Sequence, residues 1–277
     1  MKIVSTGATL FSEQHYWKRK EERKKKLILW TTIAVLIIAG LIIIARLPKF
    51  LITEVGVEGA RVITADEIER NVLETLSGKY FWLLPRANAA IYPRRKVREN
   101  LMKEFPRIIS AELSLESSRI LSINVVEREP FALYCPPLIR GGEEGLECFF
   151  LDKNGFIFDE APAFSGTVYF IYSRTPEIIE PKGREFLPLE EFSPLAEFIN
   201  GISKLGFEPV SADVGERDVA VSMQNESRIL FDRTTDLTSI FSDLEVFLEN
   251  PSVERSKLKE IDLRVENKIF WKIFGNN

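Results

Sequence analysis

Residues 108–129 read IISAELSLESSRILSINVVERE and predict two neighbouring β-strands in the first half of the chain. Apolar and polar residues alternate, with Ile109, Ala111, Leu113 and Leu115 on one side and Ser110, Glu112, Ser114 and Glu116 on the other. This period of two is typical of a strand with one buried face. The serine pair at 117–118 marks a turn, after which the alternation resumes. The stretch therefore predicts a hairpin that covers one side of a small core.

A helix is predicted upstream over TADEIERNVLETL, residues 64–76. Thr64 precedes it and Glu67 follows three residues later, which is the spacing of a capping box at a helix start. The apolar residues recur every four positions and form one face, at Ile68, Val72 and Leu76. This face is expected to pack on the hairpin.

A second helix is predicted over RRKVRENLMKEF, residues 94–105, and Pro106 ends it. Between the two helices, residues 80–93 read YFWLLPRANAAIYP, and the prolines and aromatic residues predict a packed loop. A short strand is predicted over FLITEVGVEG, residues 50–59. The order over residues 50–129 is therefore β-α-α-β-β, a helix pair on a three-stranded sheet.

The remaining residues, 130–274, predict a mixed α+β domain built on a mostly antiparallel sheet. FFLDKNGFIFDE at 149–160 is typical of a strand, a turn and a strand. Amphipathic helices are predicted over 189–207 and 234–250, with strands between them. The apolar face of the first helix is formed by Phe192, Leu195, Ile199 and Ile202. LKEIDLRVENKIFWKI at 258–273 predicts a closing hairpin.

A transmembrane helix is predicted over LILWTTIAVLIIAGLIIIARL, residues 27–47. Leu27 to Ala45 carries no charge and would be about 28 Å long as a helix, close to the thickness of a bilayer core. A cleavable signal is shorter and ends in a small-residue site, which the Ala45–Pro48 junction lacks. A buried core helix is the other alternative, but a helix apolar on every face needs a large protein around it. We therefore expect these residues to contact the lipid bilayer.

Residues 1–26 form a basic tail with eight Lys or Arg against three Glu, a charge of +5. The positive-inside rule places such a tail in the cytoplasm. Because the whole chain carries −4 and the span is uncharged, residues 46–277 carry −9. We expect this acidic part outside the cytoplasm, as in a single-pass type II protein of the inner (plasma) membrane. Its charge argues against nucleic acid as a partner.

The two cysteines, Cys135 and Cys148, flank a loop rich in Pro, Gly and Glu between two predicted strands. If these strands pair, the thiols face each other across a hairpin neck, which suits a disulfide in an oxidising compartment. Two free buried thiols are the alternative.

The single histidine, His15, lies in the basic tail. The exported part therefore has no imidazole for a Ser-His-Asp or Cys-His pair, and two cysteines without histidine do not suit a zinc site. No nucleotide-binding or nucleophile-elbow motif is present in the sequence. We predict no enzyme activity, no cofactor and no metal. A paired-carboxylate mechanism stays open, because Asp and Glu are plentiful.

The order of these parts resembles the FtsQ/DivIB family of bacterial cell-division proteins. The resemblance is carried by a short span after a basic tail, GVEG at 56–59, FPRI at 105–108, EREPFA at 127–132 and the closing hairpin. It departs from the family at Arg107, where an aromatic residue is usual. The resemblance implies a POTRA domain over residues 50–129 and a C-terminal β domain over 130–274. It also implies a non-catalytic scaffold of the divisome at the division septum, which helps to control septal peptidoglycan synthesis.

The resemblance further implies partners. FtsB, which travels with FtsL, is expected to add a segment to the edge of the final strand, and other divisome components are expected on the POTRA domain. The residues matching the family's binding hairpin are Val265, Asn267, Lys268, Ile269, Phe270 and Trp271.

Three alternatives remain open at this point. The residues of the closing hairpin can be ordinary core residues with lysines guarding an edge. The chain can be a membrane-tethered cell-wall enzyme that uses carboxylates. It can also be another POTRA-bearing envelope assembly protein, although residues 130–277 are short for a transmembrane barrel.

Overall fold

The structure is a computed structural model that describes residues 10–137, 147–164, 168–266 and 268–275. Its described residues group into two compact units. One holds the residues up to Leu101 together with Glu112–Asn124, and the other holds Met102–Ala111 and the residues from Val125 onward. The predicted class is confirmed at this level, because the chain is mixed α+β with an N-terminal apolar helix and large sheets.

The N-terminal helix α1 runs over Leu10–Ala45. Its segment Trp17–Ala45 is long and apolar enough to cross a membrane and is not buried by the rest of the chain; it is the one such segment found in the described residues. The helix ends at Ala45, two residues before the predicted end of the span. Asn88, itself buried, donates a side-chain hydrogen bond to the Ala45 carbonyl at 2.9 Å, which satisfies one of the carbonyls left open at a helix end.

Seven elements follow in the order predicted for residues 50–129, with one addition. They are β1 (Glu54–Glu58), α2 (Ala65–Leu76), β2 (Lys79–Tyr80), β3 (Leu84–Pro85), α3 (Arg94–Glu104), β4 (Ile108–Leu115) and β5 (Ile120–Glu127). A three-stranded sheet has the order β1-β5-β4, with β1 parallel to β5. The addition is the two-stranded ribbon of β2 and β3, where the sequence predicts a packed loop.

The local sequence explains α2 well. Thr64 accepts from the Glu67 amide and the Glu67 side chain accepts from the Thr64 amide, so the capping box is formed. The hydrogen bonds from Thr64 hold the pKa of Glu67 below its ordinary value. The predicted face is the buried face, with Ile68, Val72 and Leu76 enclosed. The predicted start and face of this helix are both confirmed.

In the hairpin, β5 follows the predicted alternation, with Leu121, Ile123 and Val125 buried, whereas β4 follows it only in its centre. Ala111 and Leu113 are buried, whereas Ile109 and Leu115 are exposed and Ile108 is buried instead. The face predicted from the period of two therefore breaks near both ends of β4.

The second unit is built on a sheet of ten strands and two helices. The elements are β6 (Ala132–Tyr134), β7 (Phe149–Leu151), β8 (Phe156–Glu160), β9 (Ile171–Arg174), β10 (Arg184–Glu185), α4 (Leu189–Lys204), β11 (Pro209–Val214), β12 (Asp218–Met223), β13 (Arg228–Asp232), α5 (Leu237–Glu249), β14 (Leu258–Val265) and β15 (Lys268–Ile273). The strand order is β10-β8-β7-β6-β9-β11-β12-β13-β14-β15. The pairs β6/β9, β9/β11 and β13/β14 are parallel and the others are antiparallel.

Each unit also has one short 3₁₀ turn among its described residues. Pro48–Phe50 belongs to the first unit and Arg255–Lys257 to the second.

The core of this unit lies between the sheet and the helices α4 and α5. The buried residues of α4 include the four predicted ones, Phe192, Leu195, Ile199 and Ile202. In α5 the buried residues are Ile240, Leu244 and Leu248, while Leu237 and Phe241 are partly buried against the same core.

Cys135 and Cys148 are joined by a disulfide, with their Cα atoms 4.4 Å apart. Their neighbours Tyr134 and Phe149 are paired residues of β6 and β7, so the bond closes the neck of this antiparallel pair. Residues 138–146 of the enclosed loop lie outside the described residues.

Two arginines link residues 102–111 and 125–129 to the rest of the second unit, although the sequence predicts these residues as part of one module with the rest of 50–129. Arg128 pairs with Asp152, and its guanidinium lies 4.0 Å from the Phe156 ring centroid. Arg107 donates to Asp159 at 2.9 Å and lies over the Phe158 ring. Both arginine side chains are largely buried.

Candidate partner-binding edge

The final strand β15 lies at one end of the ten-stranded sheet. It pairs with β14 in antiparallel register, with Ile261 opposite Trp271 and Asp262 opposite Phe270. Among the described residues no strand pairs with its other edge. Such an edge presents backbone donors and acceptors that a further strand can use.

Hydrogen bonding identifies which amides of β15 face this open edge. The Phe274 amide donates to the Lys257 carbonyl at 2.9 Å, just beyond the strand. Backbone groups of an antiparallel strand point alternately to either side, so the even-numbered amides face β14. The amides facing away from β14 are those of Ile269, Trp271 and Ile273.

The side chains of β15 divide between the two faces of the sheet. Ile269 packs against the buried core, and the ring of Trp271 lies 5.2 Å from that of Phe247 in α5. Phe270 belongs to the opposite face because strand residues alternate. Trp271 and Phe270 remain 53% and 54% exposed. Aromatic surface therefore lies on both sides of the open edge.

A row of ion pairs joins β15 to its neighbours on the face of Phe270. Lys272 donates to one carboxylate oxygen of Glu260 at 2.6 Å, and Arg228 donates to the other at 2.6 Å. Glu260 is buried. The hydrogen bond from Lys272 is the main cause that lowers the pKa of Glu260; burial opposes it and the bond from Arg228 adds to it. Three strands, β13, β14 and β15, are linked by this carboxylate.

A second network lies next to it. Arg264 donates to both carboxylate oxygens of Asp262 and to Asp218 on β12 at 2.9 Å. The bonds from Arg264 lower the pKa of Asp262, with burial acting in the opposite direction. Asp262 is the register partner of Phe270, so this network ties β14 to β12 beside the exposed ring.

A groove of about 500 Å³ opens at the turn end of the hairpin. Val265, Lys268 and Ile269 line one side of it, and the N-terminal turns of α5 line the other. Val265 is 46% exposed at the end of β14. The groove is mixed in character: Val265 and Ile269 supply apolar surface, and acidic side chains of the α5 end, among them Asp236 and Asp243, lie opposite Lys268.

The structure thus brings together Val265, Lys268, Ile269, Phe270 and Trp271 of the six predicted residues, whereas Asn267 lies outside the described residues. The sequence alone did not single out Glu260, Lys272 or Phe247. The alternation of Glu260, Asp262 and Arg264 in β14 was the available signal for a polar face. Phe247 could not be found, because its contact with Trp271 joins distant parts of the chain.

The pKa of Glu260 predicts acid sensitivity of this edge. A carboxylate with a lowered pKa in the folded state stabilises the fold above its ordinary pKa of 4.5, and this contribution is lost as the pH falls through the folded value. We expect the thermal unfolding midpoint to fall more steeply below pH 4.5 in the wild type than in Glu260→Gln. If the unfolding midpoints of the wild type and of Glu260→Gln fell by the same amount between pH 7 and pH 3, this role for Glu260 would be contradicted.

Within the part of the chain that the structure describes, no group of three His, Cys, Asp or Glu side chains is placed to hold a metal ion. The fold and the edge define a class of protein, a mixed α+β protein with one helix able to span a membrane and an open strand edge. Comparisons with models of known protein families and with curated proteins find no match to this chain.

Proposed function

We propose that the chain is a non-catalytic, single-pass scaffold of the bacterial divisome. Its basic tail lies in the cytoplasm, α1 spans the plasma membrane, and the acidic remainder lies outside at the division septum. The tail charge and the positive-inside rule support this orientation. The resemblance of residues 50–129 to a POTRA domain, and of the whole order of parts to FtsQ/DivIB, supports the place in cell division.

The observation that carries the proposal is the open edge of β15. A partner segment in extended conformation can add an eleventh strand there by accepting from the Ile269, Trp271 and Ile273 amides. Main-chain hydrogen bonds supply affinity in this mode, and pockets for alternate side chains supply specificity. Phe270 and Trp271 flank the added strand on its two faces.

The proposed occupant is a segment of an FtsB-type protein that travels with an FtsL-type protein as a coiled coil. Capturing it would link this pair to the septum and to septal peptidoglycan synthesis. The groove beside Val265, Lys268 and Ile269 would receive the part of the segment that precedes or follows the added strand. Other divisome components would bind the proposed POTRA domain, residues 50–129.

The test is partner capture by Ile269→Pro in the full-length chain. Proline removes an amide that faces the open edge and leaves the amides that face β14 intact. Losing this donor and bending the edge cost about 1.4 kcal/mol or more, so we expect about a tenfold loss of affinity. The measurement is co-purification and affinity with the co-expressed FtsL- and FtsB-type pair of the same organism.

Two variants serve as controls. Ile269→Ala keeps the amide but shortens the side chain, and it should retain most of the affinity. Glu185→Pro removes an outward amide at the other end of the same sheet, because Phe186 donates to Gly155 and the amide of Glu185 points away from β8. It should bind as the wild type does. Wild-type affinity of Ile269→Pro would reject strand addition at β15.

Proline at Phe270 has a different expected effect. The amide of Phe270 faces β14, so its removal breaks the final hairpin rather than the open edge. For this reason Ile269 is the sharper position for the experiment.

A further inference from the structure

The ribbon of β2 and β3 closes in a turn of unusual composition, here named the aromatic turn, residues 80–83. Leu83 donates its amide to the Tyr80 carbonyl at 2.9 Å. The two central residues have positive φ, 45° for Phe81 and 60° for Trp82. A turn with positive φ at both central residues strongly favours Asn and Gly there, because bulky residues are strained in this conformation.

The side chains of the aromatic turn point into solvent. Phe81 is 91% exposed and Trp82 is 90% exposed, and Leu83 is half exposed. The rings therefore gain almost no packing that would offset the backbone strain. Packing among the described residues therefore gives no reason for two bulky aromatic residues at this position.

Hydrogen bonds hold the aromatic turn at the end of α1. Arg46 donates its Nε to the Leu83 carbonyl at 2.8 Å and a terminal nitrogen to the Trp82 carbonyl at 3.4 Å. Asn88, just beyond β3, donates to the carbonyl of Ala45 at 2.9 Å. Arg46 is the first charged residue after the apolar run, and an arginine avoids the hydrocarbon interior. With α1 spanning a bilayer as proposed above, the turn lies where the helix meets the headgroups.

We propose that the aromatic turn inserts Phe81 and Trp82 into the headgroup region of the bilayer that α1 spans. Tryptophan favours this region because its ring is apolar and its N–H can hydrogen-bond. Lys79 and Arg86 flank the turn and suit the phosphate groups of lipids. Insertion would remove both rings from water and offset the strain of the turn. The proposal rests on the spanning helix of the proposed function and is independent of partner capture.

The test uses the single tryptophan that remains after three substitutions. The chain has four tryptophans, and Trp17→Phe, Trp30→Phe and Trp271→Phe together leave Trp82. The full chain is reconstituted in vesicles of phosphatidylcholine and phosphatidylglycerol with bromine atoms near the headgroup end of the acyl chains. We expect the emission of Trp82 to be quenched by the bromines and to be shielded from acrylamide in the water.

A matched chain that keeps only Trp30, in the span, calibrates the quenching. A loss of Trp82 emission comparable to that of Trp30 supports insertion. Emission that is insensitive to bromine but fully quenched by acrylamide overturns it and leaves the turn to a protein partner. An unquenched Trp30 overturns it as well, because the chain would then not span the vesicle membrane.

Two further variants separate the position of the turn from its composition. Arg46→Gln, made in the Trp82-only chain, removes the bond to Leu83 and should reduce the quenching of Trp82. Phe81→Asn with Trp82→Gly supplies the residues that this turn prefers, so the fold is kept, and partner capture at β15 should stay at the wild-type level. If Trp82 is quenched by the brominated lipid but the wild-type chain does not capture the partner pair, the proposed partner capture alone is rejected. If the partner pair is captured but Trp82 is not quenched, this inference alone is rejected.

Discussion

Arg128→Met should lower the free energy of unfolding by about 3–5 kcal/mol, because it leaves a buried carboxylate without its charged partner. The side chains of Arg128 and Asp152 are 14% and 5% exposed. Arg128 also donates to the Pro106 carbonyl at 3.0 Å and lies over the Phe156 ring. Asp152 additionally accepts from the amides of the turn that follows it. One pair therefore joins the end of β5 to the β7–β8 turn.

The effect should depend on burial rather than on loss of an ion pair as such. Arg95 and Glu99 in α3 form a pair of similar chemistry, but they are 89% and 58% exposed. Exposed pairs contribute little, so Arg95→Met should leave the stability close to that of the wild type. Chemical denaturation of the full chain in detergent measures both variants.

A double variant tests the same argument from the other side. Asp152→Asn keeps the side-chain oxygen that accepts from the turn amides but removes the charge. Combined with Arg128→Met, it should cost less than the two single changes added together, since no buried charge is then left unpaired. If the loss in the double variant equalled the sum of the two single losses, the interaction between Arg128 and Asp152 would not be what stabilises the contact between β5 and the β7–β8 turn.

Gly155→Ala should destabilise the second unit by about 2–5 kcal/mol through two separate effects. Gly155 has φ of +79°, where residues with a Cβ are strained. An added Cβ would also lie 2.7 Å from the Cγ atom of Phe192. Phe192 is fully buried, and its ring packs among those of Tyr172 and Phe186, so it has little room to move.

Gly206 separates strain from overlap in this prediction. It has φ of +90°, but an added Cβ would meet no atom within 4 Å. Gly206→Ala should therefore cost only the strain of about 1–2 kcal/mol. Thermal or denaturant unfolding of the two variants gives the comparison. If Gly155→Ala and Gly206→Ala lost the same free energy of unfolding, the Phe192 ring would have to move aside for the new methyl group without cost.

Local patterns predicted the helices well. The capping box at Thr64, the faces of α2 and α4, and the long apolar run all depend on residues within a few turns of each other, and the structure has them where the sequence indicates. The turn at 152–155 is a further example, because Asp and Gly supply turn geometry wherever the turn is placed.

The patterns failed where distant residues decide the environment. Ile109 and Leu115 follow the alternation of β4 but are exposed, because burial needs a covering element as well as a period. Arg107 departs from the aromatic residue expected by resemblance and becomes buried over Phe158, which only the fold reveals. Phe81 and Trp82 were expected in a packed loop and instead lie exposed at a strained turn.

The amino-acid sequence by itself determined that this protein has one membrane-length apolar helix, a basic tail, and alternating helices and strands. These properties follow from composition and from short-range periodicity, which do not depend on contacts between distant parts of the chain. Only the tertiary structure decided that β15 ends a ten-stranded sheet, which of its amides face outward, and that the aromatic turn lies at the end of α1. Strand order and register depend on pairing between segments far apart in the chain, so no local pattern contains them.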